Sequence, residues 1–483
     1  RLRANSESRS ACCTVSKAVP SPPLHRPRIR RIGAMAGGEQ ARRLARLARH
    51  VLAPGACSSG PAPGDTAKPF SGIRVIDCTS VVAGPTACAI LADMGADVVK
   101  IEPPGAPDIT RGWGGGDDPE RTAMPALHAE GQGGSAFVQC NRGKRSLALD
   151  ITQPAGVALL KRLLAKADVF VTNIRLRSLR KVGLDYEALA SEFPALVYAH
   201  LSAFGRTGPL VNDPGYDIGV WWATSGLMDL AKSNEDADMP RFPGAMGDNS
   251  TAVQLAGFIG TALFHRERTG RGQLVDAALM RSGIFAASHP LTAWAGGNGW
   301  GTGAMNTGGV RGTTKVGERV TLVSDAVYRC KDGIWVQLLG IDIGRHIGKV
   351  LRALRLRRED LTPGSKSWDE VDWRLATQAV DRVMATRTYD EWHEVFMKYD
   401  VWHVRVNRFE DMFEDEQAVA SGTFVQPPGV QHKLLACPVQ LGAAREGPTA
   451  GAPALGQHTA EVLREHGISG EEEEQLRRDG IVK

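Results

Sequence analysis

The chain has 483 residues, 42% hydrophobic and 23% charged, an ordinary globular composition that excludes a wholly disordered or fibrous protein. Single cores stop growing near roughly 250 to 300 residues, so two or three structural units are expected. The formal net charge of +5 resides in the first 66 residues, and the slightly acidic remainder removes the electrostatic case for nucleic-acid binding.

Residues 1–66 carry about a dozen Arg and Lys against only Glu7, Glu39 and Asp65, a composition that cannot offset its own ordering entropy. The expectation is a disordered basic leader over 1–67. It has the Arg-rich, Ser-rich, acid-poor character of an organellar transit peptide, and the stretch from Met35 to Leu52 can coil into a basic amphipathic helix. That reading places the protein in a mitochondrial or other organelle matrix. The other reading is a plain extension ahead of a start at Met35, with the protein cytoplasmic. No run approaches the roughly 18 apolar residues of a membrane span, and the Cys and His residues are too dispersed for a disulfide framework or a metal site.

Organised sequence begins at Phe70. Residues 73–78 (IRVIDC) read as a strand, 86–94 as a small-residue helix after the Gly84-Pro85 turn, and 97–101 (DVVKI) as the next strand. Helix and strand then alternate: helix 155–166, strand 168–173 (DVFVTN), helix 186–193, strand 196–201 (LVYAHL). This order predicts an α/β fold with a doubly wound parallel sheet, whose ligand sits beyond the carboxyl ends of the strands. Residues 80–85, 173–177 and 202–207 fall at such ends. A buried helix is expected over 251–265 and a strand over 274–279. A glycine-rich linker or lid follows at 292–316, then a smaller α+β unit over 317–412. That unit is read from strands at 320–330 and 334–339 and helices at 347–354, 373–385 and 389–399. Residues 413–437 return the chain to a C-terminal segment, 438–483, with a helix at 459–466.

Several motifs coincide along this frame. Gly72-x-x-Val75-x-Asp77, Ala83-Gly84-Pro85, the run from Leu91 to Gly105 (LADMGADVVKIEPPG) and the run from Asn141 to Asp150 (NRGKRSLALD) come first. Gly205-x-x-Gly208-Pro209, Pro214-Gly215-Tyr216-Asp217, Gly247-Asp248, Thr269-Gly270-Arg271-Gly272-Gln273 and Leu455-Gly456-Gln457-His458-Thr459 follow in order. Together they resemble the class III CoA-transferases (CaiB/BaiF type), the family of formyl-CoA transferase, carnitine CoA-transferase and α-methylacyl-CoA racemase, from Phe70 to the C-terminus.

The resemblance implies a large domain built from both chain ends (68–291 and 438–483), a small domain between them, and an interlocked homodimer. It implies coenzyme A as a co-substrate, with no permanently bound cofactor, and acyl-CoA and carboxylic acids as partners, without nucleic acid or membrane. It implies Asp248 as the nucleophile, and contacts to coenzyme A from Val81, Val82, Leu149, Asn173, Ile174, Lys181, Val182, Gly215 and Tyr216. Oxalate-type members carry His and Gln where this chain has Ser80 and Val82, so an oxalate-like pocket is not implied.

The residues themselves leave alternatives open. Asp248, before the 251–265 helix, is a nucleophile kept ionised by the positive helix end, or only an N-terminal cap. Asp217 is a second carboxylate at the site or a solvated turn residue. Tyr216 lines a thioester site or packs under the sheet. Arg175, Arg177, Arg180 and Lys181 meet phosphates or form a solvated basic face. Trp113, Trp221 and Trp222 shape an acyl pocket or belong to the core. The glycine-rich segment 296–309 is a water-excluding lid or a linker. The competing functions are an acyl-CoA racemase, weakened because Tyr216 stands where that enzyme has a catalytic His, and a non-catalytic CoA-binding protein.

Overall fold

The computed structural model describes residues 68–113, 133–232, 238–297, 322–441 and 447–483. The 1–67 leader, most of 292–316 and residues 298–309 of the proposed lid lie outside them.

Six parallel strands form the main sheet: β1 (Arg74–Cys78), β2 (Asp97–Glu102), β3 (Arg145–Ala148), β4 (Val169–Thr172), β5 (Val197–Ser202) and β6 (Leu274–Ala278), in the order β3-β2-β1-β4-β5-β6. Side chains alternate faces along a strand, and here both faces are apolar. Val75, Val98, Val171 and Ala199 point to one layer, Ile76, Val99, Phe170 and Tyr198 to the other. Burial on both sides is what makes these segments read as continuous apolar runs rather than alternating ones.

The first layer packs helix α1 (Ala83–Asp93), whose eleven residues are all buried, against a long helix at Met246–Thr269. The second layer holds α3 (Pro154–Leu164) together with Val462, Leu463 and Ile481 from the C-terminal segment; α2 (Ser135–Asn141) precedes β3. The end of the chain also closes the β3 edge. Leu149 bridges Val482, and the Asp150 N–H donates to the Ile481 carbonyl at 2.8 Å, so the edge offers less unpaired backbone to another chain.

A polar layer crosses this apolar interior. Asp77 on β1 pairs with Lys144 at 2.8 Å, Lys100 on β2 with Asp108 at 3.0 Å, Glu102 with Arg111 at 2.6 Å, and Asp93 with Arg142 at 2.6 Å. Each of these side chains is at most 2% exposed. An unpaired charge here would cost several kcal/mol, so the pairs fix which loops meet.

Residues 322–405 have a core of their own. An antiparallel sheet of Val327–Arg329, Trp335–Leu338 and His403–Arg405 packs on helices Ile343–Leu354, Trp373–Met384 and Tyr389–Lys398 through Tyr328, Val336, Val380 and Phe396. Asp342, Asp372 and Thr388 cap those three helices by accepting backbone N–H bonds.

Candidate active site

The strand order reverses between β1 and β4, and in open parallel sheets the ligand crevice lies beyond the carboxyl ends of the strands at that reversal. A cavity of about 330 Å³ occupies this place. Its walls come from the β1–α1 loop (Ser80, Val81, Val82), the end of β4 (Asn173, Ile174, Arg175), the end of β5 (His200 to Ala203), Val211, the segment Asp213 to Tyr216, and Leu279 and Asp248. Seven of the residues singled out from the sequence thus meet at one cavity: Val81, Val82, Asn173, Ile174, Gly215, Tyr216 and Asp248. Leu149, Lys181, Val182 and Asp217 do not line it. Leu149 is fully buried in the core beneath Val482, and Lys181 is exposed at the end of α4 (Leu176–Lys181).

Asp248 owes its position to the start of the helix Met246–Thr269, α6 when α5 is Tyr186–Glu192. The helix begins five residues before the expected one, so Asp248 is its third residue and not a cap. The residue ahead of it, Ala245, has a left-handed backbone with φ of +72°. The cap is supplied from 31 residues upstream, where Asp217 Oδ1 accepts the Asp248 N–H at 3.0 Å. Gly247 is required at this junction, because a Cβ there would stand 2.2 Å from Trp221 Cγ and 2.3 Å from Asp217 Oδ1. At the other end of α6, Gly270 turns the chain with φ of +72° and donates to the Arg266 carbonyl, a glycine C-terminal cap.

This geometry corrects the electrostatic expectation. The helix end was expected to keep Asp248 ionised, yet the Asp248 N–H is already taken by the Asp217 carboxylate. Asp248 is only 9% exposed, and burial, with the Asp217 carboxylate adding to it, pushes its carboxyl up to about 7. A helix terminus contributes about 0.3 to 1 kcal/mol, up to ~2, too little to reverse so large a rise. The Asp248 N–H is likewise spent as an oxyanion donor. Asp217, 4% exposed, is no solvated turn residue. Burial raises its carboxyl too, with the Asp248 N–H pulling against it.

Tyr216 is 71% exposed and stands in the cavity wall rather than under the sheet. Trp221 and Trp222 belong to the core. Trp221 Nε1 donates to Ser282 Oγ at 3.1 Å, and Trp222 stacks on Phe242 at 3.8 Å between centroids. Arg175, Arg177 and Arg180 are exposed beside Lys181, with Arg175 at the cavity. His200 was not singled out from the sequence. It is 1% exposed on β5, its Nε2 lies 3.0 Å from the Ile174 carbonyl, and burial lowers its pKa. A histidine inside an otherwise apolar strand was the available signal. Among the described residues there is no cluster of three or more His, Cys, Asp and Glu able to hold a metal, and no helix long and apolar enough to cross a membrane.

Comparison with known proteins gives a consistent picture. A family model described as CoA-transferase family III matches residues 70–459. The chain is 27% identical over 422 residues to the (R)-2-hydroxy-4-methylpentanoate CoA-transferase of Clostridioides difficile, covering 86% of this chain and 99% of that protein. It is 29% identical over 420 residues to human alpha-methylacyl-CoA racemase, covering 86% and 97%. Among solved structures, a CAIB/BAIF family protein from Brucella suis superposes with a TM-score of 0.65 at 27% identity, over 83% of this chain and all of that one.

Proposed function

The chain belongs to CoA-transferase family III, and from that membership we propose that it moves coenzyme A from an acyl-CoA donor to a carboxylic acid through covalent intermediates on Asp248. The observation that supports this reading is a buried carboxylate at the switch-point cavity, held in place by its backbone, with no cation among the described residues paired to its side chain. Desolvation makes such a carboxylate more basic and so a better nucleophile once ionised.

The steps balance without any other reactant. An Asp248 carboxylate oxygen attacks the thioester carbonyl, expelling the thiolate of coenzyme A and leaving a mixed anhydride. The thiolate attacks the aspartyl carbonyl, releasing the donor's acid and forming an enzyme thioester. The acceptor carboxylate attacks that thioester and expels the thiolate again, and the thiolate then takes the new acyl group, restoring Asp248. Val81, Val82, Asn173, Ile174, Gly215 and Tyr216 line the path for coenzyme A, and the exposed cations Arg175, Arg177, Arg180 and Lys181 suit its phosphates. Leu149 and Val182, implied by the family, would act from behind this wall. Asp217 fixes the first turn of α6. A homodimer, the division into large and small domains, and an organelle address are part of the same reading.

The test is chemical. Protein incubated with an accepted acyl-CoA and then hydroxylamine should carry a hydroxamate on the peptide containing Asp248, and Asp248→Ala should carry none. Transfer without any adduct at this peptide would sink the mechanism. A second reading, proton exchange α to the thioester, has the likeness to the racemase and an Asp248 poised near neutrality in its favour. Deuterium incorporation from solvent without transfer would select it.

A further inference from the structure

We infer that Lys100 and Asp108 are positioning residues for the coenzyme A cavity, a buried ion pair that holds Val81 in a backbone conformation it would otherwise leave. The ligand's identity rests on the functional reading above; the clamp rests on geometry alone.

Val81 is β-branched, and its φ of +73° puts it in the left-handed region, where such a side chain is a genuine outlier. A conformation of this kind persists only where the surroundings over-determine it, and it concentrates at functional sites. Three grips do so here. The Val81 N–H donates to Asp108 Oδ1 at 3.2 Å. The amide of Asn173 bonds both backbone groups of Ser80, accepting its N–H at 3.1 Å and donating to its carbonyl at 2.8 Å. Lys100 Nζ donates to the Thr79 carbonyl at 2.9 Å.

Lys100 and Asp108 are joined to each other at 3.0 Å, with their side chains 0% and 1% exposed. Asp108 is further fixed by Thr110, which donates its N–H at 3.0 Å and its hydroxyl at 2.8 Å, and by its own N–H to Glu102 Oε1 at 3.1 Å. Ser80 and Val81 line the cavity; Lys100 and Asp108 do not. The pair therefore acts on a ligand only through the loop, joining the buried layer at the end of β2 to the cavity wall. Strain at a β-branched residue in the loop that faces the ligand, gripped from behind by a desolvated pair, is pre-organisation of a binding surface.

The test compares wild type, Asp108→Asn, Lys100→Met/Asp108→Leu, and that double variant with Val81→Gly added. Hydrogen exchange over residues 79–82 and calorimetric titration with coenzyme A are read on each, and kcat and KM where transfer is measurable. The double variant replaces both charges by apolar groups, so no lone buried charge threatens the fold. It should lose exchange protection over 79–82 and bind coenzyme A about tenfold more weakly, with KM changed more than kcat. Asp108→Asn keeps an oxygen for the Val81 N–H but breaks the pair with Lys100, so it should also lose protection over 79–82 and bind coenzyme A more weakly than wild type. Val81→Gly should return part of what the double variant lost, because glycine takes this φ without strain. Unchanged exchange over 79–82, wild-type affinity in the double variant, or an Asn variant with wild-type protection and affinity would overturn the inference. A wild-type protein that binds no coenzyme A sinks the functional reading instead, and the exchange data still decide the clamp.

Discussion

Asp248→Asn should stabilise the protein in proportion to pH. A carboxyl moved from its ordinary 3.8 to about 7 costs the native state about 4 kcal/mol at ~1.36 kcal/mol per pH unit, once native and unfolded chains are both ionised. The direction follows from which state holds the proton. Below about pH 4 both states hold it and nothing is lost. Between about pH 4 and 7 the unfolded chain releases its proton while the native chain keeps it, so native stability falls as pH rises; above about 7 the loss is constant. Asparagine does not titrate, fits the same space, and leaves the backbone N–H bond to Asp217 in place. The variant should therefore melt with wild type near pH 4 and progressively above it by pH 8, by roughly 5 °C if Thr66–Lys483 unfolds with about 2.1 cal/mol/K per residue. Melting curves across that range, followed calorimetrically, measure the difference. A variant no more stable than wild type at pH 8, or a gap that does not change between pH 4 and 8, would refute burial and Asp217 as the forces acting on this carboxyl.

The same carboxyl sets the pH–rate profile: kcat/KM should fall as pH drops through about 7, where Asp248 takes up its proton and ceases to be a nucleophile; a flat profile between pH 6 and 8 would contradict the assignment. Asp217→Asn removes a charge next to Asp248 while keeping a capping oxygen, so that limb should move to lower pH, whereas Asp217→Ala should also lose about 0.5 to 2 kcal/mol of stability on denaturant titration. Gly247→Ala drives a Cβ into Trp221 and Asp217, and the backbone shift it forces should cost about 1 to 3 kcal/mol and most of the transfer rate.

The sheet was readable because five of its strands are short, mostly apolar runs, the pattern of strands buried on both faces. β3 escaped because its four residues, Arg145–Ala148, are half polar and become a strand only by pairing with β2. The α6 start was misplaced for a related reason. Gly247, Asp248, Asn249 and Ser250 have the composition of a turn, and the helix runs through them with a carboxylate 31 residues away accepting the Asp248 N–H in its first turn. Propensity yielded there to a tertiary contact. The motifs located Asp248, Tyr216, Val81 and Asn173, but the environment of each was out of reach. No local pattern shows that Asp217 and Asp248 repel, that Val81 is left-handed, or that Lys100 and Asp108 hold it, since all of these depend on strands meeting at a reversal of sheet order.

The most direct measurement follows an oxygen atom. In a single turnover with an acceptor acid labelled with 18O in its carboxylate, a covalent path through Asp248 breaks the acceptor's bond to one labelled oxygen and leaves that atom on the enzyme. Digestion and mass spectrometry should then find one 18O on the peptide containing Asp248 and one remaining in the new thioester. A labelled thioester formed while the Asp248 peptide stays unlabelled would contradict the account, because coenzyme A would have passed between the two acids without the acceptor's acyl group ever being joined to this carboxylate.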